Sequence, residues 1–322
     1  MLRRHRREWS VVLVLACVLG GLWMAAPDFF KPRQLLALGT ATAPVLVAAM
    51  GVTMIILCRQ IDISIGSQFA LCSVFIGLAA QKGGGPLELV ALAMGVGGVM
   101  GAVNGVLVAG VGLPSIVVTL ATMATWRESL RWWREGEFVR NLPETFQWFG
   151  ASQMTGQWLV ITAGIMVLGC MVMITQFTAG GRFMYAVGSD PEAARLAGIR
   201  PMWVTFSVFV SAGALTGLAA VLNAVRFTDV DPKTGTGLEM QAIAAAVVGG
   251  VSVAGGRGRV LGVFAGVLLL ACVGPGLVFL NLPAQWERAI QGGIILLAVA
   301  SDGLGGGRPR RLREQHEEKK RR

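Results

Sequence analysis

Charge is what this sequence lacks most. Aspartate, glutamate, lysine and arginine make up only 14% of its 322 residues, where soluble domains carry about a quarter. Its long apolar runs also have no polar face, which excludes a large soluble protein with buried helices. Histidine is nearly absent: His5 and His316 both lie in the tails, so no imidazole serves chemistry inside the apolar region. The five cysteines (Cys17, Cys58, Cys72, Cys170 and Cys272) sit in apolar segments without CxxC spacing. They read as small packing residues, with no disulfide and no metal site.

Other motifs are missing as well. There is no Gly-Lys dipeptide, so a GxxxxGK[ST] phosphate loop is impossible. "GGRGRVLG" (255–262) has GxG spacing but follows no soluble strand, and it makes no dinucleotide site. Paired carboxylates, HExxH and a nucleophile elbow do not occur. An enzyme is poorly supported, and no cofactor is expected.

What the chain has in quantity is hydrophobicity: 54% of its residues are hydrophobic and the mean hydropathy is +0.64. Runs of roughly 20 apolar residues match the length of helix that crosses a ~30 Å hydrocarbon core. The hydropathy pattern predicts ten spans, near 10–26, 36–58, 63–81, 87–110, 114–131, 157–177, 203–225, 238–254, 259–281 and 285–302. The expected fold is all-α, a polytopic transmembrane helical bundle. The start resembles a signal peptide, but the many spans that follow favour an uncleaved first helix.

Net charge is +10. Most lysines and arginines fall in the tails and in alternate loops, which predicts both termini on the inside. That gives a basic cytoplasmic segment at 1–9, a membrane domain at 10–302 with an inner loop at 178–202, and a basic tail at 303–322. Basic flanks beside spans point to anionic membrane lipid rather than nucleic acid. One stretch expected outside, "RESLRWWREGEFVRNLPETFQWFG" (127–150), interleaves arginine and tryptophan. It reads as an interfacial helix or as a docking surface for an outside partner. GxxxG pairs (Gly97, Gly101 and Gly105; Gly213 and Gly217; Gly262 and Gly266) predict close helix packing. "IDISIG" (61–66) and "VSVAGG" (251–256) form a faint repeat of inner turns.

Charges at membrane depth are costly and are candidates for function. Asp62, Glu239 and Arg59 qualify, and the two acids are each placed to cap a helix start as readily as to handle cargo. Polar residues within apolar runs add Ser64, Ser67, Asn104, Thr119, Thr122 and Gln241 as candidate path residues. Their alternative role is to bond their own or a neighbouring helix.

The loop "GRFMYAVGSDPEAARLAGI" (181–199) is helix-forming and polar. Asp190 is a natural N-cap, Pro191 fits the first helical position, Glu192 suits the first turn, and Gly198 ends the helix. A short helix of small residues suits a groove on another protein, or simply connects two spans.

"PEAARLAG" (191–198) resembles the EAA–G coupling loop of ABC importer permeases. With "IDISIGS", "NGVLVAGVGLPSIVVTLATM" (104–123) and "GLEMQAIAAAVVGGVSVAGGRG" (237–258), the chain resembles the ribose/autoinducer-2/rhamnose group of monosaccharide permeases. "TGTGLEM", "RNLP" and "LPAQWERAIQGGIILLA" lean toward its autoinducer-2 branch. The resemblance implies a permease subunit in the bacterial inner membrane that hydrolyses nothing itself. Its implied partners are ATP-binding cassette ATPase subunits, a second permease (the same or homologous), and a periplasmic or lipid-anchored solute-binding protein. It also implies ATPase coupling through Gly181, Gly188, Asp190, Pro191, Glu192, Ala193, Ala194 and Gly198. The alternative, a secondary transporter driven by an ion gradient, would need titratable groups at the midplane, and few are present.

Overall fold

The computed structural model describes residues 6–283 and 285–305. The expected basic tails therefore lie largely outside the described residues. The described chain is helical, apart from loops and one isolated antiparallel bridge between Val139 and Val230. The helices are α1 (Arg6–Ala25), α2 (Pro32–Leu57), α3 (Ile65–Gln81), α4 (Pro86–Gly105), α5 (Ser115–Arg134), α6 (Gln153–Phe177), α7 (Ala179–Ser189), α8 (Pro191–Leu196), α9 (Pro201–Ala224), α10 (Leu238–Val248), α11 (Val260–Phe279) and α12 (Trp286–Gly305). A π-helical turn, Val106–Gly110, prolongs α4.

Five of these are long and apolar enough to cross a membrane among the described residues: α2, α4 with its π turn, α6, α9 and α11. α2 is the centre of the bundle. Every residue from Leu46 to Leu57 is buried, as expected for a helix that is apolar all round, and α6, α9, α10 and α11 pack on it.

The glycine pairs explain the closest packing. α4 and α9 run antiparallel, with Gly97 against Gly213, Gly101 against Phe209, and Gly217 against Ala93. A Cβ at any of these glycines would run into the facing backbone, so only glycine lets the two helices approach this closely. Gly266 repeats the arrangement against Ala245, joining α11 to α10.

Two departures from the sequence reading matter. The run expected to span at 238–254 forms a helix of only 11 residues, about 16 Å long, which stops at Gly249 and at Gly250 with φ +91°. The chain before it is folded inward. Val230 packs at Gly77 and Gly235 packs at Gly66, so residues 230–235 run along α3 and α10 begins within the bundle. The second departure is at 127–150: α5 runs unbroken to Arg134, and the chain beyond is irregular, with left-handed Glu135, Asn141, Trp148 and Phe149.

Candidate functional site

The 178–202 loop holds two helices where the sequence suggested one. Thr178 caps the first, its Oγ1 accepting from the Gly181 N–H at 3.1 Å. α7 is bound tightly to the bundle. A Cβ on Gly188 would strike the carbonyl of Leu57 and the amide of Gly256. The Gly256 N–H donates to the Leu57 carbonyl at 2.9 Å, and the Tyr185 hydroxyl donates to the Gly258 carbonyl at 2.9 Å. The end of α2, the end of α7 and the 252–258 turn thus form one backbone-to-backbone junction. Gly181 is equally constrained, packed on Thr175 at the end of α6.

α8 differs in kind. Asp190 is its cap, accepting from the amides of Glu192 and Ala193 at 3.0 and 3.1 Å, with Pro191 at the first position. Gly198 ends it with φ +83°, and the Gly198 and Ile199 amides bond back to the Arg195 and Ala194 carbonyls. Ala194 is buried, but Pro191, Glu192, Ala193 and Arg195 are exposed. Leu196 is 87% exposed, an apolar side chain held out at the tip.

The candidate path residues divide between two places. Asp62, Ser64, Asn104 and Thr122 come together in one polar cluster among α3, α4, α5 and the extended segment before α3. Asp62 Oδ1 accepts from the Ser64 amide at 2.8 Å and from its hydroxyl. Ser64 Oγ accepts from Asn104 at 2.9 Å, and Asn104 Oδ1 accepts from Thr122 at 2.9 Å. Ser67 bonds back to the Ser64 carbonyl, and Thr119 bonds to the Ser115 carbonyl. Asp62, Ser64, Ser67, Asn104 and Thr119 are all buried, and Thr122 is half-buried. In this conformation the cluster ties three helices together rather than lining open space. Gln68 completes it, donating to Asp62 at 3.2 Å and to Ser64 at 2.8 Å. Its position four residues after Ser64, on the same helical face, was the available signal.

Glu239 and Gln241 lie apart from that cluster, on the first turns of α10. Glu239 Oε1 accepts from the Gly237 amide at 3.2 Å, while Oε2 is buried against Gly66 without a hydrogen-bond partner among the described residues. Arg127 of α5 sits nearby, donating to the Thr234 carbonyl at 3.2 Å and within electrostatic reach of Glu239. The second half of α5 exposes Thr125, Glu128 and Ser129 beside Trp132 and Trp133, whereas its first turns expose Ile116, Val117 and Leu120. Gln241 lines a separate cavity of about 420 Å³ between α2, α10, α11 and α12, shared with Arg226, Glu287 and Gln291. Sequence reasoning did not include Arg127 among the site residues, because an arginine followed by tryptophans read as part of an interfacial helix. Among the described residues, no cluster of His, Cys, Asp and Glu could hold a metal ion.

Known proteins share this pattern over nearly the whole chain. A family profile described as "Branched-chain amino acid transport system / permease component" matches residues 34–299. The chain is 33% identical over 301 residues to the autoinducer 2 import system permease protein LsrC of Enterobacter sp. (strain 638), covering 92% of this chain and 87% of that one. It is 34% identical over 310 residues to the LsrC of Escherichia coli (strain K12 / DH10B), covering 94% and 89%, and 32% identical over 306 residues to that of Photorhabdus laumondii, covering 93% and 90%. No solved structure matches. ABC importers of this kind work with ATPase and solute-binding partners, and ATP hydrolysis lies on a partner chain. The chain belongs to this permease family: it is a multi-pass permease subunit of an ABC importer in the cell inner membrane.

Proposed function

We propose that this permease imports a monosaccharide or sugar-like signal of the autoinducer-2, rhamnose or ribose class. The observation that carries this reading is the 33% identity to an autoinducer 2 import permease across 92% of the chain. Both termini lie inside in this reading, ten segments cross or enter the membrane, and a second permease, the same or homologous, completes the pathway. The charge distribution over the loops supports the orientation.

In this reading α8 docks on the ATPase, with Leu196 as its apolar contact and Glu192 and Arg195 at its rim. α7 carries the motion inward, because Gly181 and Gly188 leave it no slack against α6 and α2. Closure of the ATPase pair on ATP moves α8, and the junction at Leu57 passes that movement to the central helix. The cargo path runs along the exposed face of α5, past Thr122 and Glu239, with Asp62, Ser64, Ser67, Asn104 and Thr119 as the polar frame behind it. Gln241 offers a hydrogen bond on the far side of α10. A neutral polyol suits scattered weak partners, since tight binding in transit would trap it; affinity is left to the delivering protein.

The test is uptake into liposomes with autoinducer-2, rhamnose and ribose, with and without the ATPase partner and ATP. Uptake of one of these that requires ATP supports the reading. ATP-independent uptake driven by an ion gradient would overturn the coupling, and ATP-dependent uptake of none of the three would overturn the cargo class.

A further inference from the structure

Between α6 and α9 the bundle leaves an apolar groove of about 920 Å³. Its floor is Met54 of α2 and Met94 of α4, and Met166 and Met171 form part of the α6 wall. Along α9 it runs from Arg200 to Leu218, roughly 27 Å at helical rise, close to the thickness of a hydrocarbon core. Methionine is flexible and polarizable, so such a lining adapts to a mobile chain. Small exposed residues on α9, Ser207 and Ser211, keep the groove open, and the Ser207 hydroxyl is already satisfied by the Val204 carbonyl at 2.9 Å.

The end of the groove nearest α7 and α8 changes character. Arg200 is exposed there and forms no ion pair among the described residues. Trp203 is 56% exposed and held edge-on by Phe206 at 5.9 Å, and Phe183 of α7 is 40% exposed. Tryptophan beside arginine at the end of an apolar span is the pattern of the headgroup level. A long apolar trough closed by Arg200, unpaired among the described residues, and an aromatic ring has the shape of a phospholipid with an anionic head.

We propose that this groove binds one anionic phospholipid, its acyl chains along the methionines and its phosphate on Arg200. A protein helix would have to carry its own counter-charge to Arg200 at membrane depth, whereas an anionic lipid supplies charge and chains in one molecule. The lipid touches Phe183 of α7 and the Gly198–Arg200 turn after α8, so it packs against the segment that links α8 to the bundle. The inner-leaflet placement rests on the orientation proposed above.

Native mass spectrometry of the full chain, stripped in detergent and then offered phosphatidylglycerol or phosphatidylethanolamine, tests it. One phosphatidylglycerol per chain should survive washing that removes phosphatidylethanolamine. Arg200→Gln should lower that retention about fivefold, the weight of one arginine at an anionic surface. Ser211→Trp should remove it by filling the groove while Arg200 remains. Equal retention of the two lipids, or wild-type retention in Arg200→Gln, overturns the proposal. So does cross-linking of Cys170, which lines the groove, to Cys170 of a second copy in a Cys17→Ser background, since that would seat protein there. If Ser211→Trp does not reach the membrane, Arg200→Gln decides alone, because its exposed head carries no core packing. Retention is read on the permease by itself, so its outcome is separable from uptake, which tests the transport reading.

Discussion

α7 and α8 are consecutive, share one loop and each follow a polar cap, yet they are held by opposite means. α7 is fixed from outside itself: Gly188 lies against Leu57 and Gly256 with no room for a Cβ. α8 is fixed from within, by the Asp190 cap and the left-handed Gly198, and it offers its side chains to solvent. Glycine serves both helices for unrelated reasons. At Gly188 the space is closed; at Gly198 no described residue lies within 4 Å of the missing Cβ and only the backbone angle excludes other residues. A helix that must transmit force is clamped, and one that must be recognised is self-supporting and bare.

Substitutions at four positions test that contrast. Gly188→Val should have the largest effect, about 3 kcal/mol or more, because the facing atoms are backbone and cannot step aside. Thermal unfolding of the detergent-solubilised chain should shift markedly downward, and both uptake and ATPase retention should fail. A melting curve like that of the wild type would show that α7 is not clamped. Gly198→Val should cost about 1–3 kcal/mol locally. The bundle should still melt near its normal temperature while ATP-driven uptake is lost; normal uptake would mean that the turn after α8 plays no part in coupling.

Asp190→Ala removes the side chain that satisfies two α8 amides and should cost about 1 kcal/mol. Partial loss of uptake is expected, with rescue by Asp190→Asn, which keeps the acceptor; no rescue would assign the role to charge instead of capping. Leu196→Ser should change stability by less than about 0.5 kcal/mol, as exposed sites do. It should nonetheless weaken co-purification of the ATPase subunit. Unchanged co-purification would remove Leu196 from the docking surface and leave the Glu192–Arg195 pair. That pair is exposed on both sides at 3.4 Å, where ion pairs contribute little.

The helices were legible where the code is local. Asp-Pro-Glu before a small-residue run marks a helix start at the residue where the structure puts it, and the glycine spacings do fall at helix seams. What the sequence hid was depth. Nothing local shows that Gly235 meets Gly66, because that approach depends on two absent side chains far apart in the chain. Hydropathy therefore extended α10 through Gly249 and Gly250, where the structure ends the helix. The polar residues posed a related difficulty: Asn104 and Ser64 look alike whether they face a path or each other, and only the 2.9 Å bond between them distinguishes the two. Arg127 was read as one of several interfacial arginines, because nothing local shows that the Thr234 carbonyl receives it.

The short helix α10 bears on how the protein is made. An 11-residue helix preceded by irregular chain offers too short a greasy stretch to enter a bilayer by itself. Its unpaired backbone groups would be stranded in lipid. α2 and α11, both long enough to partition alone, pack on α10 and give the short helix walls to settle against. α10 therefore gains its α11 wall only once that later helix has been made.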